Sequence, residues 1–167
     1  MDYEVIIMGV ESYFVNTKLR NNVPIKEVIE IIAGNKSLEV TPARVKKSDL
    51  FLTDENYIIN RIVRCTMINS HILSFQACFS CYEKSLTIIT EIILTVMKAN
   101  LSECFFYCDY QFDFSECEKD QIISMLNHQM QKRYTYFQSN FTKQKFDVLP
   151  EEFYDYYNRH RKILKRE

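Results

Sequence analysis

The chain contains only two glycines, Gly9 and Gly34, among 167 residues. Average usage near 7% would give roughly a dozen. Glycine is needed where the backbone adopts a positive φ or approaches a phosphate closely, so Walker loops and dinucleotide-binding fingerprints both depend on it. The shortage therefore excludes ATPases, GTPases, kinases and Rossmann-type dehydrogenases. Enzymes that need no glycine loop stay open.

Length and charge are those of one ordinary domain. The sequence is 47% hydrophobic and has a net charge of −1, which predicts a single domain over 1–167 without a general attraction to nucleic acid or anionic membranes. The N-terminal segment lacks a signal-peptide pattern. The longest apolar stretch, 86–97, contains Glu91 and is shorter than the about 20 residues of a membrane helix. We therefore expect a cytoplasmic protein, without membrane contact, whose six cysteines are reduced.

Apolar periodicity divides the chain into strands and helices. Strands are predicted at residues 3–10, within 37–52, at 57–67, at 73–79 and at 103–114. Helices are predicted at residues 24–34, 81–99, 115–138 and from 151 onward. Pro24 suits the first helical position and Gly34 a left-handed C-terminal cap. Ser115 and Glu118 match a capping box.

Alternation within 103–114 predicts the two faces of that strand. One face would carry Cys104, Phe106, Cys108, Tyr110 and Phe112, and the other Glu103, Tyr107, Asp109, Gln111 and Asp113. The element order predicts an α+β fold: a mainly antiparallel sheet with one right-handed βαβ crossover over 70–112, helices packed on one face, and two C-terminal helices. The other sheet face would be polar with aromatic residues, as a binding surface or a homodimer interface requires.

Cys78 and Cys81 form a Cys-x-x-Cys pair between a predicted strand and a predicted helix. A helix N-terminus lowers the pKa of a thiol there, so one hypothesis is a redox dithiol. The segment FQACFSC also resembles the active-site stretch of thioredoxins, in which a strand ending in Phe-x-Ala leads into the dithiol. This resemblance covers 72–97 and implies that Cys78 attacks and Cys81 resolves. The chain departs from it because no Trp precedes Cys78 and no Gly or Pro separates the two cysteines.

Packing and zinc binding are the alternatives for these cysteines. Buried free cysteine behaves as a small hydrophobic residue, and this is the favoured interpretation. A zinc site would add Cys104 and Cys108, but in one strand these two would stand about 13 Å apart. We expect no metal and no cofactor.

Histidines and acids give no further catalytic pattern. His71, His128 and His160 belong to three different elements, and His71 is expected in the core or at a sheet edge. Asp109 and Asp113 share one strand face, which is ordinary solvent-facing alternation.

The leading hypothesis is a non-enzymatic protein–protein interaction module of the inhibitor, immunity or adaptor type, acting through an aromatic-bearing surface. Tyrosine is favoured at binding hot spots. The candidate surface residues are Tyr107, Asp109, Tyr154, Tyr156, Tyr157, Arg159, Arg161, Lys162, Lys165 and Arg166. The alternatives are a thiol-disulfide oxidoreductase using Cys78 and Cys81, and a nucleic-acid binder using the basic C-terminus over 159–166.

Overall fold

The computed structural model describes residues 12–42, 56–107, 110–112 and 118–141. The strands in these ranges are β1 (Ser12–Leu19), β2 (Val40–Pro42), β3 (Asn56–Ile59), β4 (Val63–Asn69), β5 (Ile72–Cys78), β6 (Ser102–Tyr107) and β7 (Tyr110–Phe112). The helices are α1 (Ile25–Ala33), α2 (Tyr82–Lys98) and α3 (Lys119–Phe141). The predicted strand at 3–10 and the predicted helix from 151 lie outside these residues.

The described strands form one sheet in the order β2-β3-β4-β5-β1-β6-β7. Every neighbouring pair is antiparallel. Because β1 lies between β5 and β6, these two strands run in the same direction, and α2 connects them by crossing over β1. The predicted α+β class, with a mainly antiparallel sheet and one βαβ crossover, is confirmed. The handedness of the crossover stays a prediction.

The helices of the described ranges share one core with the sheet, as predicted. β1 and β5 contribute their alternating side chains Tyr13, Val15, Leu19, Leu73, Phe75 and Ala77. The helices contribute stripes at helical spacing: Ile25, Val28, Ile29 and Ile32 from α1, Leu86, Ile89, Ile93 and Val96 from α2, and Ile122, Leu126, Met130 and Phe137 from α3. No helix in this part of the chain is long and apolar enough to span a membrane.

Glu91, the acid inside the apolar stretch of α2, ties the helices together. Its Oε1 atom accepts a hydrogen bond from Asn35 Nδ2 at 2.9 Å, just beyond α1. Its Oε2 atom lies 3.5 Å from Lys119 Nζ at the start of α3. The carboxylate is thus placed where three helices meet, and this explains an acid in an otherwise apolar run.

The single strand predicted at 57–67 is wrong. Asn60 and Arg61 have φ angles of 49° and 60°, which divide the segment into β3 and β4. Two successive positive φ angles build the hairpin turn whose twist matches the paired strands. Alternation alone does not reveal this turn, because residues on both sides keep the same apolar periodicity.

The left-handed cap predicted at Gly34 is also wrong, since Gly34 has a φ of −65° and stays right-handed. A left-handed cap occurs instead after α2, at Asn100 with φ 56°. The N–H of Asn100 donates to the Met97 carbonyl at 2.8 Å. The N–H of Leu101 donates to the Val96 carbonyl at 3.2 Å. These paired bonds form a Schellman motif with asparagine in glycine's usual place.

The predicted faces of the strand at 103–114 need correction. Phe105 is fully buried and pairs with Thr17 of β1, so the odd position faces the core and Cys104 lies on the other face. The segment is also a hairpin, in which β6 pairs with β7. Phe105 lies between Cys104 and Phe106, so the sequence does not show which side of this apolar run faces the core.

The start of α3 differs from the predicted capping box. The helix begins at Lys119, so Glu118 precedes it. The backbone N–H of Glu118 donates to the side-chain oxygen of Gln121 at 3.0 Å. In a capping box, a Glu or Gln side chain at the third helical position accepts the N–H of the N-cap residue. Gln121 fills this role, three residues after Glu118, the residue predicted for it. The partner predicted for Glu118, Ser115, lies outside the described residues.

Candidate functional site

The two thiols of the Cys-x-x-Cys pair lie where β5 passes through a short 3₁₀ turn into α2. Both are free. Cys78 is buried at 7% exposure, whereas Cys81 is partly exposed at the N-cap of α2. The Cys81 thiol points at the Cys78 carbonyl, 3.4 Å from its oxygen. The attacking role that the dithiol hypothesis assigns to Cys78 therefore falls on the less accessible thiol.

Within the described ranges, no group of three or more His, Cys, Asp and Glu side chains is arranged to hold a metal ion. Cys104 is buried in β6, and Cys108 lies outside the described residues. His71 is exposed in the turn between β4 and β5, which rules out the core, one of the two positions predicted for it. Its backbone carbonyl accepts the N–H of Leu19 at 2.7 Å.

Five aromatic rings meet where β1, the 3₁₀ turn, α2 and α3 converge. Phe79 is the centre of this aromatic cluster, with its ring 5.1 Å from Tyr13, 5.7 Å from Tyr82, 6.0 Å from Tyr134 and 5.7 Å from Phe137. The rings of Tyr82 and Tyr134 are 4.1 Å apart. Phe79 itself is 2% exposed, so part of the aromatic content of this chain stabilises the core.

Arg133 of α3 closes the aromatic cluster from one side. Its guanidinium carbon lies 5.4 Å from the Phe79 ring centroid. Its Nη2 atom donates to the carbonyl of Ser12 at 2.7 Å. The same side chain thus makes a cation–π contact and holds α3 against the start of β1.

The tyrosine hydroxyls of the cluster are connected. The hydroxyl of Ser85 donates to the Tyr82 carbonyl at 2.9 Å, so its oxygen accepts from the Tyr13 hydroxyl at 2.5 Å. The Tyr82 hydroxyl donates to Asn127 Oδ1 at 2.7 Å. Burial disfavours the phenolate and raises the pKa of Tyr13 well above its usual range. Tyr13 is therefore a neutral structural donor.

A groove of about 560 Å³ runs between α2 and α3 above this network. We call it the interhelical groove. It is lined by Tyr82, Glu83, Leu86, Thr87, Ile123, Asn127, His128, Gln131 and Tyr134. Its floor is aromatic because Tyr82 and Tyr134 turn their rings toward Phe79, and its rim is polar.

A second groove, of about 820 Å³, follows the opposite side of α3. We call it the α3 outer groove. It is lined by His128, Gln129, Gln131, Lys132, Thr135, Tyr136 and Ser139. All of these described residues belong to α3, and His128 and Gln131 also border the interhelical groove.

The sheet face away from the helices is polar, as predicted, but much of it is buried. Arg64 is 8% exposed, and its guanidinium donates to Asn56 Oδ1 at 2.8 Å and to Gln76 Oε1 at 3.1 Å. Phe14, in register with Gln76, is 43% exposed. Ile68 is 60% exposed. Among the described residues of this face, Phe14 and Ile68 are the large apolar side chains that are exposed.

Most of the candidate surface residues fall outside the described ranges. Tyr107 pairs with Tyr110 in the β6–β7 hairpin. Asp109, Tyr154, Tyr156, Tyr157, Arg159, Arg161, Lys162, Lys165 and Arg166 lie outside the described residues. His128, Lys132 and Tyr136 were not predicted, although they occupy positions of α3 between the apolar residues of its buried stripe. No protein-family model, curated protein sequence or solved structure matches this chain.

Proposed function

We propose that the protein is a non-enzymatic protein–protein interaction module of the inhibitor, immunity or adaptor type, which binds its partner through the α3 outer groove. The observation that carries the proposal is Tyr136, which is 55% exposed and lines a groove of hydrogen-bonding side chains. An exposed tyrosine supplies a large ring and a hydroxyl at small cost in side-chain entropy, which favours it at binding hot spots.

The rigidity of the helix supports this function. Arg133 and Phe137 fix the same stretch of α3 to the core, through the Ser12 carbonyl and the Phe79 ring. Side chains on the outer side are therefore presented from a backbone that cannot shift freely. Such a surface loses little conformational freedom on binding, and this preserves affinity.

The experiment is site-specific photocrosslinking in the cells that express the protein. A photoreactive phenylalanine analogue replaces Tyr136 in the full chain, and a matched chain carries it at Glu30, an exposed residue of α1. We expect one discrete heterologous adduct from position 136 that is absent from position 30. Excess wild-type protein should compete it away, and excess Tyr136→Ala protein should not. Identical adducts from both positions would reject the groove as the binding surface.

The dithiol alternative makes the opposite prediction for the thiols. An oxidoreductase needs a reactive Cys78, whereas the observed burial predicts that Cys81 is alkylated first in the native protein and Cys78 only after unfolding. Native-state alkylation followed by peptide mass spectrometry measures the order. Fast labelling of Cys78 below pH 7 would favour the oxidoreductase over the interaction module.

A further inference from the structure

We draw no further inference here: the strongest candidate, the interhelical groove between α2 and α3, brings described residues of both helices together over the Tyr82 and Tyr134 rings, but nothing in the structure shows what covers it.

Discussion

The two sides of α3 use the same residue types for opposite purposes. On the inner side, Tyr134 stacks 4.1 Å from the Tyr82 ring, within the aromatic cluster. Two residues further, Tyr136 points away from the core and is 55% exposed. The arginine at 133 holds α3 to Ser12 and Phe79, whereas its neighbour Lys132 lines the outer groove. The number of tyrosine and basic residues in a sequence therefore does not identify a binding surface unless it is known which helix face carries them.

The largest expected difference between the two sides is in stability. Phe79→Ala removes the ring at the centre of the aromatic cluster and leaves a cavity among four other rings. We expect the free energy of unfolding to fall by about 3–5 kcal/mol. Chemical denaturation with a fluorescence readout measures the loss. A loss below about 1 kcal/mol would show that the cluster is not a tightly packed core.

Alkaline pH should weaken the inner side specifically. The pKa of Tyr13 is raised by burial in the folded protein, while the unfolded chain ionises it near pH 10. Below that pH both states are neutral at Tyr13 and its stabilising effect is complete. Above it the unfolded state loses the proton and the folded state keeps it, so stability falls by about 1.4 kcal/mol per pH unit until the folded pKa is reached.

Denaturation curves at several pH values compare the wild type with Tyr13→Phe. We expect the variant to lose stability less steeply above pH about 10 because it lacks this ionisable group. Cys65 provides an independent check, since burial also raises its pKa, and Cys65→Ala should reduce the slope from about pH 8.5 upward. Slopes equal to the wild type in both variants would contradict the neutral, buried state of these groups.

Tyr82 lies at the boundary between the two sides, because its ring belongs to the aromatic cluster and its hydroxyl bonds Asn127 in the interhelical groove at 2.7 Å. Tyr82→Phe keeps the ring and removes the hydrogen bond. We expect a loss of about 1 kcal/mol in the free energy of unfolding, since Asn127 is exposed and water can replace the lost donor. Asn127→Ala in a double-mutant cycle should then add little, and full additivity would show that the two groups do not interact.

Periodicity predicted most of the inner side correctly. The buried stripes of α1, α2 and α3 followed from apolar spacing, because helix burial is a local property with a fixed period. β1 was missed: Tyr13, Val15, Thr17 and Leu19 form its buried face, but Phe14 interrupts the apolar–polar alternation, and the segment was not assigned to any element. The pairing of β1 between β5 and β6 could not be predicted, since it depends on contacts distant in sequence.

The failures share a physical cause. Phe105 and Cys104 are both apolar, so alternation in β6 could not tell the core face from the other. Asn60 and Arg61 adopt positive φ without glycine, so a composition-based search for turns passed over them. The α3 outer groove was missed because side-chain periodicity identifies what a helix buries, and a binding surface consists of what remains. Only the packed structure shows which of those residues border a groove.

The smallest expected effect on stability is on the outer side. Tyr136→Ala should change the free energy of unfolding by no more than about 0.5 kcal/mol, because the side chain is largely exposed. Tyr134→Ala, in the same helix two residues earlier, should cost about 1–3 kcal/mol through loss of the Tyr82 and Phe79 contacts. Denaturation of both variants in parallel measures the contrast.

Binding should show the reverse order: Tyr136→Ala should lose the partner captured at the α3 outer groove while remaining folded. An equal loss of stability in the two variants would mean that Tyr136 is part of the core, and the distinction between the two sides of α3 would fail.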